Sequence, residues 1–140
     1  MLGLGGADRA LILRQLVAPL VADGVVTDVD LLLRELEARE GQVTTQIATG
    51  VAFPHARSTT VRRLALTVGM APEPGLLFSG PERERCRLFF LIAVPASAPT
   101  AHLPLLKQLC AIVRQGTHLQ RLLEAQTPAQ LSRLLTTAKG

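Results

Sequence analysis

The sequence predicts an α/β fold: a single-domain sandwich in which a mixed β-sheet is flanked by helices on both faces. Three observations predict it. Helical periodicity occupies both ends of the chain, and the strand candidates gather in the middle. Leu88–Val94 is an unbroken apolar run, the pattern of a strand buried on both sides, and such a strand needs helices above and below it. The chain has 140 residues, 48% hydrophobic and 19% charged, the size and composition of one domain with a real core.

The first helix spans Ala7 to Ala22, with apolar positions at Leu11, Leu13, Leu16, Val17, Leu20 and Val21, and Pro19 inside it threatens a kink. Asp28 or Asp30 opens a second helix through Leu31, Leu32, Leu33, Leu36 and Ala38, ending near Gly41. Thr44–Ile47 reads as loop or short strand. Gly50 to Pro54 then forms a strand, because Val51, Ala52 and Phe53 suit a buried pleat. Val61 to Met70 is the next strand, with Leu64, Leu66 and Val68 on one face. Pro72-Glu73-Pro74-Gly75 is a turn, and Leu76-Leu77-Phe78 a short edge strand closed by Ser79-Gly80-Pro81. After the buried strand Arg87–Val94, the loop Pro95–Thr100 leads into a helix from His102 to Arg114, stopped by Gly116. A short helix covers His118 to Ala125. A last one has Thr127 as N-cap and Pro128 at its first position, and runs to Thr137. The domain occupies residues 7–138, with 1–6 a flexible N-terminus.

Composition excludes several classes. With four Phe and no Tyr or Trp, stacking platforms for single-stranded nucleic acid are nearly absent. No helix carries its arginines on one readable face, so no nucleic acid partner is expected. No stretch reaches the ~20 apolar residues of a membrane helix, and Met1–Gly6 lacks the regions of a signal peptide, so no membrane insertion and a cytoplasmic location are expected. Cys86 and Cys110 lie in apolar surroundings without CxxC spacing and read as buried thiols in a reducing compartment. Gly3-x-Gly5-Gly6 has no strand before it, which makes a phosphate-cradling loop a poor reading.

Charge is unevenly placed. The net charge is +4, and no acidic residue occurs between Gly41 and Pro72, a window holding His55, Arg57, Arg62 and Arg63. Arg83, Arg85 and Arg87 form a second cluster interleaved with Glu82 and Glu84. These are either solvated surface or a positive field that attracts an anionic ligand or acidic partner.

Within that window, Thr49-Gly50-Val51-Ala52-Phe53-Pro54-His55-Ala56 is the most informative stretch. Pro54 fixes its own φ, has no N–H, and pushes Phe53 toward an extended conformation, so His55 stands on a stiff segment where the strand should stop. A reactive group held this way loses little entropy on meeting its partner. The plainer alternative is a structural histidine at a strand end. His102 falls directly after the buried strand and its loop, at a helix start, where the dipole favours the neutral ring; capping or packing is its plainer reading. Arg39 ends the second helix, where a surface charge complementing the C-terminus would also fit. His118 has no assigned role. A zinc site from His55, His102 and a cysteine lacks any ligand pair of helical or knuckle spacing, so no metal is expected. Two histidines and an arginine without paired carboxylates suit proton transfer, or attack of a neutral imidazole on phosphorus, and the second accounts for the basic window.

The motif Arg39-Glu40…Thr44-x5-Gly50-Val51-Ala52-Phe53-Pro54-His55, with Val94-Pro95…His102-Leu103-x2-Leu106 and Leu123-x-Ala125-x-Thr127 downstream, resembles the enzyme IIA domain of the bacterial phosphotransferase system (PTS), of the fructose/mannitol type that includes the nitrogen-regulatory IIA. The similarity runs from about Leu11 to Leu135. It implies a mannitol/fructose-like IIA fold and a phosphoryl carrier. His55 would accept the phosphoryl group from an HPr-type phosphocarrier protein, His102 would hydrogen-bond it or orient the site, and Arg39 would neutralise its charge. The group would pass to a IIB domain in sugar transport. Alternatively the domain would be a regulatory binding module, with phosphorylation as a switch on a transporter, kinase or transcription regulator. No cofactor is implied, because the donor is already activated. The sequence departs from the family at Phe78-Ser79-Gly80, where an acidic residue is frequent, and at Met1–Gly6, where the family's first strand is not legible.

Overall fold

A computed structural model describes residues 2–3, 8–42, 44–47, 50–72, 74–78 and 85–124. The chain order begins with β1 (Leu2–Gly3), α1 (Arg9–Ala22), α2 (Val29–Gln42), β2 (Gln46–Ile47) and β3 (Val51–Ala52). It continues with β4 (His55–Ser58), β5 (Ala65–Met70), β6 (Leu88–Pro95), α3 (Leu103–Arg114) and α4 (Gly116–Glu124).

The sheet forms around β6, every residue of which is buried. The order is β1-β5-β6-β3-β2, with β4 also paired to β6. β5 runs antiparallel to β6, β3 and β4 run parallel to it, and the sheet is mixed as expected. Strand periodicity divides β6 between two cores. Phe89, Leu91 and Ala93 pack with Ile12, Leu16, Leu32 and Leu36 of α1 and α2. Leu88, Phe90, Ile92 and Val94 pack with Leu109, Ile112, Val113 and Leu122 of α3 and α4. Leu64, Leu66 and Val68 lie against this second core.

The helices follow their caps. Asp8 in an extended conformation accepts from the Leu11 N–H at 2.9 Å, and α1 passes through Pro19 without ending. Asp28 accepts from the Leu31 N–H at 3.1 Å, so it is the residue that opens α2.

Several boundaries differ from the sequence expectation. The strand expected from Val61 begins at Ala65, because the Arg62 N–H is drawn to the Val25 carbonyl at 2.8 Å and Val61 bridges Val26. Leu76–Phe78 is no strand; Leu76 makes one isolated bridge to Cys86. Gly116 does not stop a helix but begins α4, and α3 ends on the extended Gln115. The N-terminal segment expected to be flexible contributes Leu2–Gly3 to the sheet, parallel to β5. Cys86 is fully buried, whereas Cys110 is half-buried. The helix expected from Thr127 to Thr137 lies outside the described residues.

Candidate functional site

The strand expected from Gly50 to Pro54 is interrupted. β3 ends at Ala52, Phe53 and Pro54 belong to no strand, and His55 is the first residue of β4. The expectation that the strand stops at His55 is therefore corrected: the histidine stands just after a break in a strand that resumes. The register is unchanged across the break, with Ala52 opposite Phe89 and His55 opposite Ile92. Gly50 sets the entry. Its φ of +77° suits glycine, a Cβ there would stand 3.1 Å from the Arg85 carbonyl oxygen, and its own carbonyl accepts from the Arg87 N–H at 2.9 Å.

At the break, the Phe53 carbonyl accepts from His55 Nδ1 at 2.8 Å. A carbonyl oxygen can only accept, so the neutral ring carries its proton on Nδ1 and leaves the Nε2 lone pair free. The Phe53 N–H donates to the Thr45 hydroxyl at 3.2 Å, and that hydroxyl donates to Glu40 Oε1 at 2.8 Å. Glu40 Oε2 accepts from the Thr45 N–H at 2.6 Å and the Thr44 hydroxyl at 3.0 Å. Glu40 is only 4% exposed, in the last turns of α2, where the helix dipole disfavours a carboxylate. Three donated hydrogen bonds offset that placement.

His102 occupies the N-cap position of α3 without a side-chain cap bond and is 3% exposed. Its ring lies 5.4 Å from that of His55, centroid to centroid, tilted by 35°. Among the described residues its buried Nδ1 has no hydrogen-bond partner. Burial, then electrostatic repulsion from the neighbouring His55 and Arg57, holds His102 below the ordinary imidazole range. The sequence anticipates a neutral ring here from the helix dipole; burial is the larger cause. His55 is half-buried and reachable from solvent, and Arg57, two residues on along β4 and so on the same face, is exposed.

The structure thus joins His55 to His102. Arg39 lies half-buried in the last turn of α2, the helix packed against β4. Sequence reasoning assigns no role to Glu40 or Thr45, and names Arg57 only as one cation of the basic window. One signal was present: Glu40 is the last acid before the acid-free window, at a helix end that disfavours it. Thr45 carries no such signal, because its role arises only when β2 is laid beside β3.

A stiff, interrupted strand presenting one imidazole beside a second, between two helical layers, defines a histidine-bearing α/β domain. The family described as "Phosphoenolpyruvate-dependent sugar phosphotransferase system, EIIA 2" matches residues 3–138, and the chain belongs to it. The chain is 32% identical over 104 residues to the "PTS system fructose-specific EIIA component" of Haloferax volcanii, covering 74% of this chain and 67% of that protein. It is 25% identical over 126 residues, 90% of this chain, to the fructose-specific EIIABC component of Bacillus subtilis, of whose length it spans 20%. Among solved structures, the nitrogen regulatory protein IIA-Ntr of Neisseria meningitidis superposes with a TM-score of 0.83 at 23% identity, over 96% of this chain and 90% of the other. Enzyme IIA mannitol of Escherichia coli, solved in complex with phosphorylated enzyme IIB mannitol, gives a TM-score of 0.81 at 20% identity, over 98% and 93%. These likenesses establish the fold. Among the described residues no helix is long and apolar enough to cross a membrane.

Proposed function

We propose that this domain is a phosphoryl carrier of the PTS, accepting a phosphoryl group on Nε2 of His55 from an HPr-type protein and passing it to a IIB domain. The observation that carries the reading is the bond from Nδ1 to the Phe53 carbonyl, which leaves Nε2 as the nucleophile. A donor phosphohistidine brings its phosphorus in line with that lone pair. As the Nε2–P bond forms, the donor's P–N bond breaks and its electron pair returns to the donor ring. The Nδ1–H of His55 stays on the Phe53 carbonyl and steadies the positive charge the substituted ring acquires.

His102 orients the phosphoryl group from its buried place beside His55, and its low proton affinity keeps it from adding a competing charge. Arg39 and Arg57 supply positive charge for the equatorial oxygens. The resulting P–N bond is labile, which suits a carrier. The family's nitrogen-regulatory members share this fold, and the same label on His55 would serve there as a charge switch.

The test is the intact mass after incubation with enzyme I, an HPr-type protein and phosphoenolpyruvate. The wild type gains one phosphate and His55→Ala gains none; equal labelling of the two refutes the assignment.

A further inference from the structure

Helix α2 is tied down on two opposite sides. On one side Asp30 and Glu37 pair with Arg14 and Arg9 of α1. The other side carries Glu35 and, one turn later, Arg39. Glu35 Oε1 accepts from the Ser58 hydroxyl at 2.5 Å. That hydroxyl accepts in turn from the Thr60 N–H at 3.3 Å, so its single proton goes to the carboxylate. Ser58 is a fixed point of the sheet. It is 1% exposed, stands opposite Pro95 of β6, and its carbonyl accepts from the Ala96 N–H at 3.1 Å.

These contacts set the direction of α2 across the strand. Its middle is bound to Ser58, at the end of β4, and its last turns reach Phe53, just before β4, through Glu40 and Thr45. Helix and strand therefore run in opposite directions. Four residues of helix advance about 6 Å, the length of about two residues of strand. Arg39 thus lies level with the start of β4, where His55 is. His55 points through the sheet, toward His102 on the α3 side. α1 packs on β5 and α2 on β4, the strands on either side of β6, so the side of α2 away from α1 overhangs the outer edge of β4. Among the described residues β4 pairs with β6 alone, and that edge is open. A side chain as long as arginine has a path round it to the imidazole.

We propose that Glu35 is the positioning residue for Arg39: bound to Ser58, it sets the register of α2 on β4 and so the place of the guanidinium beside the phosphoryl group on His55. This rests on the reading of His55 as phosphoryl acceptor and adds the contact that aims the cation. Leu32 and Leu36 hold the helix to the core by apolar contact, which is non-directional and permits small slips along the strand. A hydrogen bond to a carboxylate is short and directional, and it stops the slip. The carboxylate also precedes Arg39 by one turn, the order in which a helix favours an acid and a base, and this keeps the long side chain on the overhanging side. A cation preorganised at the equatorial oxygens stabilises transfer; a displaced one has to be moved there first.

Phosphoryl transfer from a phosphorylated HPr-type protein is measured for the wild type, Glu35→Leu, Glu35→Gln and Ser58→Ala, each also in an Arg39→Met background, with circular dichroism as the check of fold. Leucine fills similar space and accepts no hydrogen bond; glutamine keeps the accepting oxygen. Glu35→Leu and Ser58→Ala should each lower kcat at least about tenfold with KM for the donor changed less than about twofold, and Glu35→Gln should recover most of the loss. Without Arg39 the same substitutions should cost less than about twofold, because a residue that acts through another has nothing left to act on. If Glu35→Leu does not fold, Ser58→Ala carries the same comparison from the strand side. Wild-type kcat in these variants, or an equal fall with and without Arg39, overturns the proposal and leaves the carrier reading intact. A wild type that takes no phosphate on His55 overturns both.

Discussion

Thr45→Val tests whether the carboxylate at the end of α2 holds the reactive ring in place. The substitution keeps the β-branched shape of the side chain and removes its hydroxyl. That hydroxyl donates to Glu40 Oε1 at 2.8 Å and accepts from the Phe53 N–H at 3.2 Å. Valine can do neither. A carboxylate that is 4% exposed loses one of three donors, and the N–H of a residue that is 3% exposed loses its acceptor. A hydrogen bond to a charged group contributes about 1.5–3 kcal/mol and an orphaned buried donor costs about 1–3 kcal/mol. The two losses share one atom, so their sum is an upper bound, and about 2–4 kcal/mol is expected. For a domain of this size that lowers the thermal midpoint by roughly 6–15 °C.

The functional effect travels one residue further. Phe53 carries the carbonyl that accepts from His55 Nδ1, so a loosened Phe53 no longer fixes the ring. A misplacement of about 1 Å at a reacting atom costs on the order of 100-fold in rate. Phosphoryl transfer, measured well below both midpoints, should therefore slow about 10- to 100-fold. Thr45→Ser restores the hydroxyl and should recover most of both losses. A Thr45→Val protein with wild-type stability and wild-type transfer would refute the chain of contacts from Glu40 to His55.

The remaining expectations concern neighbouring residues. Gly50→Ala forces a φ of +77° on a residue with a Cβ 3.1 Å from the Arg85 carbonyl. The backbone strain alone is about 1–2 kcal/mol, so a urea midpoint shift equivalent to less than about 0.5 kcal/mol would refute it. His102→Ala should keep the fold and slow transfer by at least about tenfold, and unchanged kinetics would make His102 a bystander. For pH, His102 is held below its ordinary value of 6.5 by burial, His55 and Arg57. Below that value the unfolded chain binds more protons than the folded one, so stability is complete above it and declines as pH falls. Urea midpoints from about pH 7.5 to 5 should show that decline, and His102→Gln should show less of it; equal slopes would remove His102 as the cause.

How much of this was legible depended on whether the signal was local. The buried strand and both helical layers follow from runs and spacings within a dozen residues. The start of the strand expected from Val61 is not legible because its competitor, the Val25 carbonyl, lies far away in sequence. The same holds for Leu76, whose bridge to Cys86 is too short to be a strand. Gly116 was read as a helix stop by its type, yet an extended Gln115 ends α3 and glycine tolerates a helix start equally well. Thr45 is invisible for the reason the strand ends are: part of its value is set by Phe53, which the antiparallel pairing of β2 with β3 brings to it.

Pro54 explains why the site lies where it does. A proline in a paired strand has no N–H to give and is tolerated only where the ladder can be left incomplete. Here the ladder to β6 is kept on that same side, since the Pro54 carbonyl still accepts from the Ile92 N–H at 2.9 Å. The register survives, but Phe53 belongs to neither strand segment. Its N–H and its carbonyl become available to side chains, one to Thr45 and one to His55. A continuous strand would bind both groups in its ladder, and the imidazole would have to find another acceptor or take the opposite tautomer, with Nδ1 as its free nitrogen. The proline therefore does more than stiffen the segment before the histidine. By interrupting the strand without shifting it, it selects which ring nitrogen is left free.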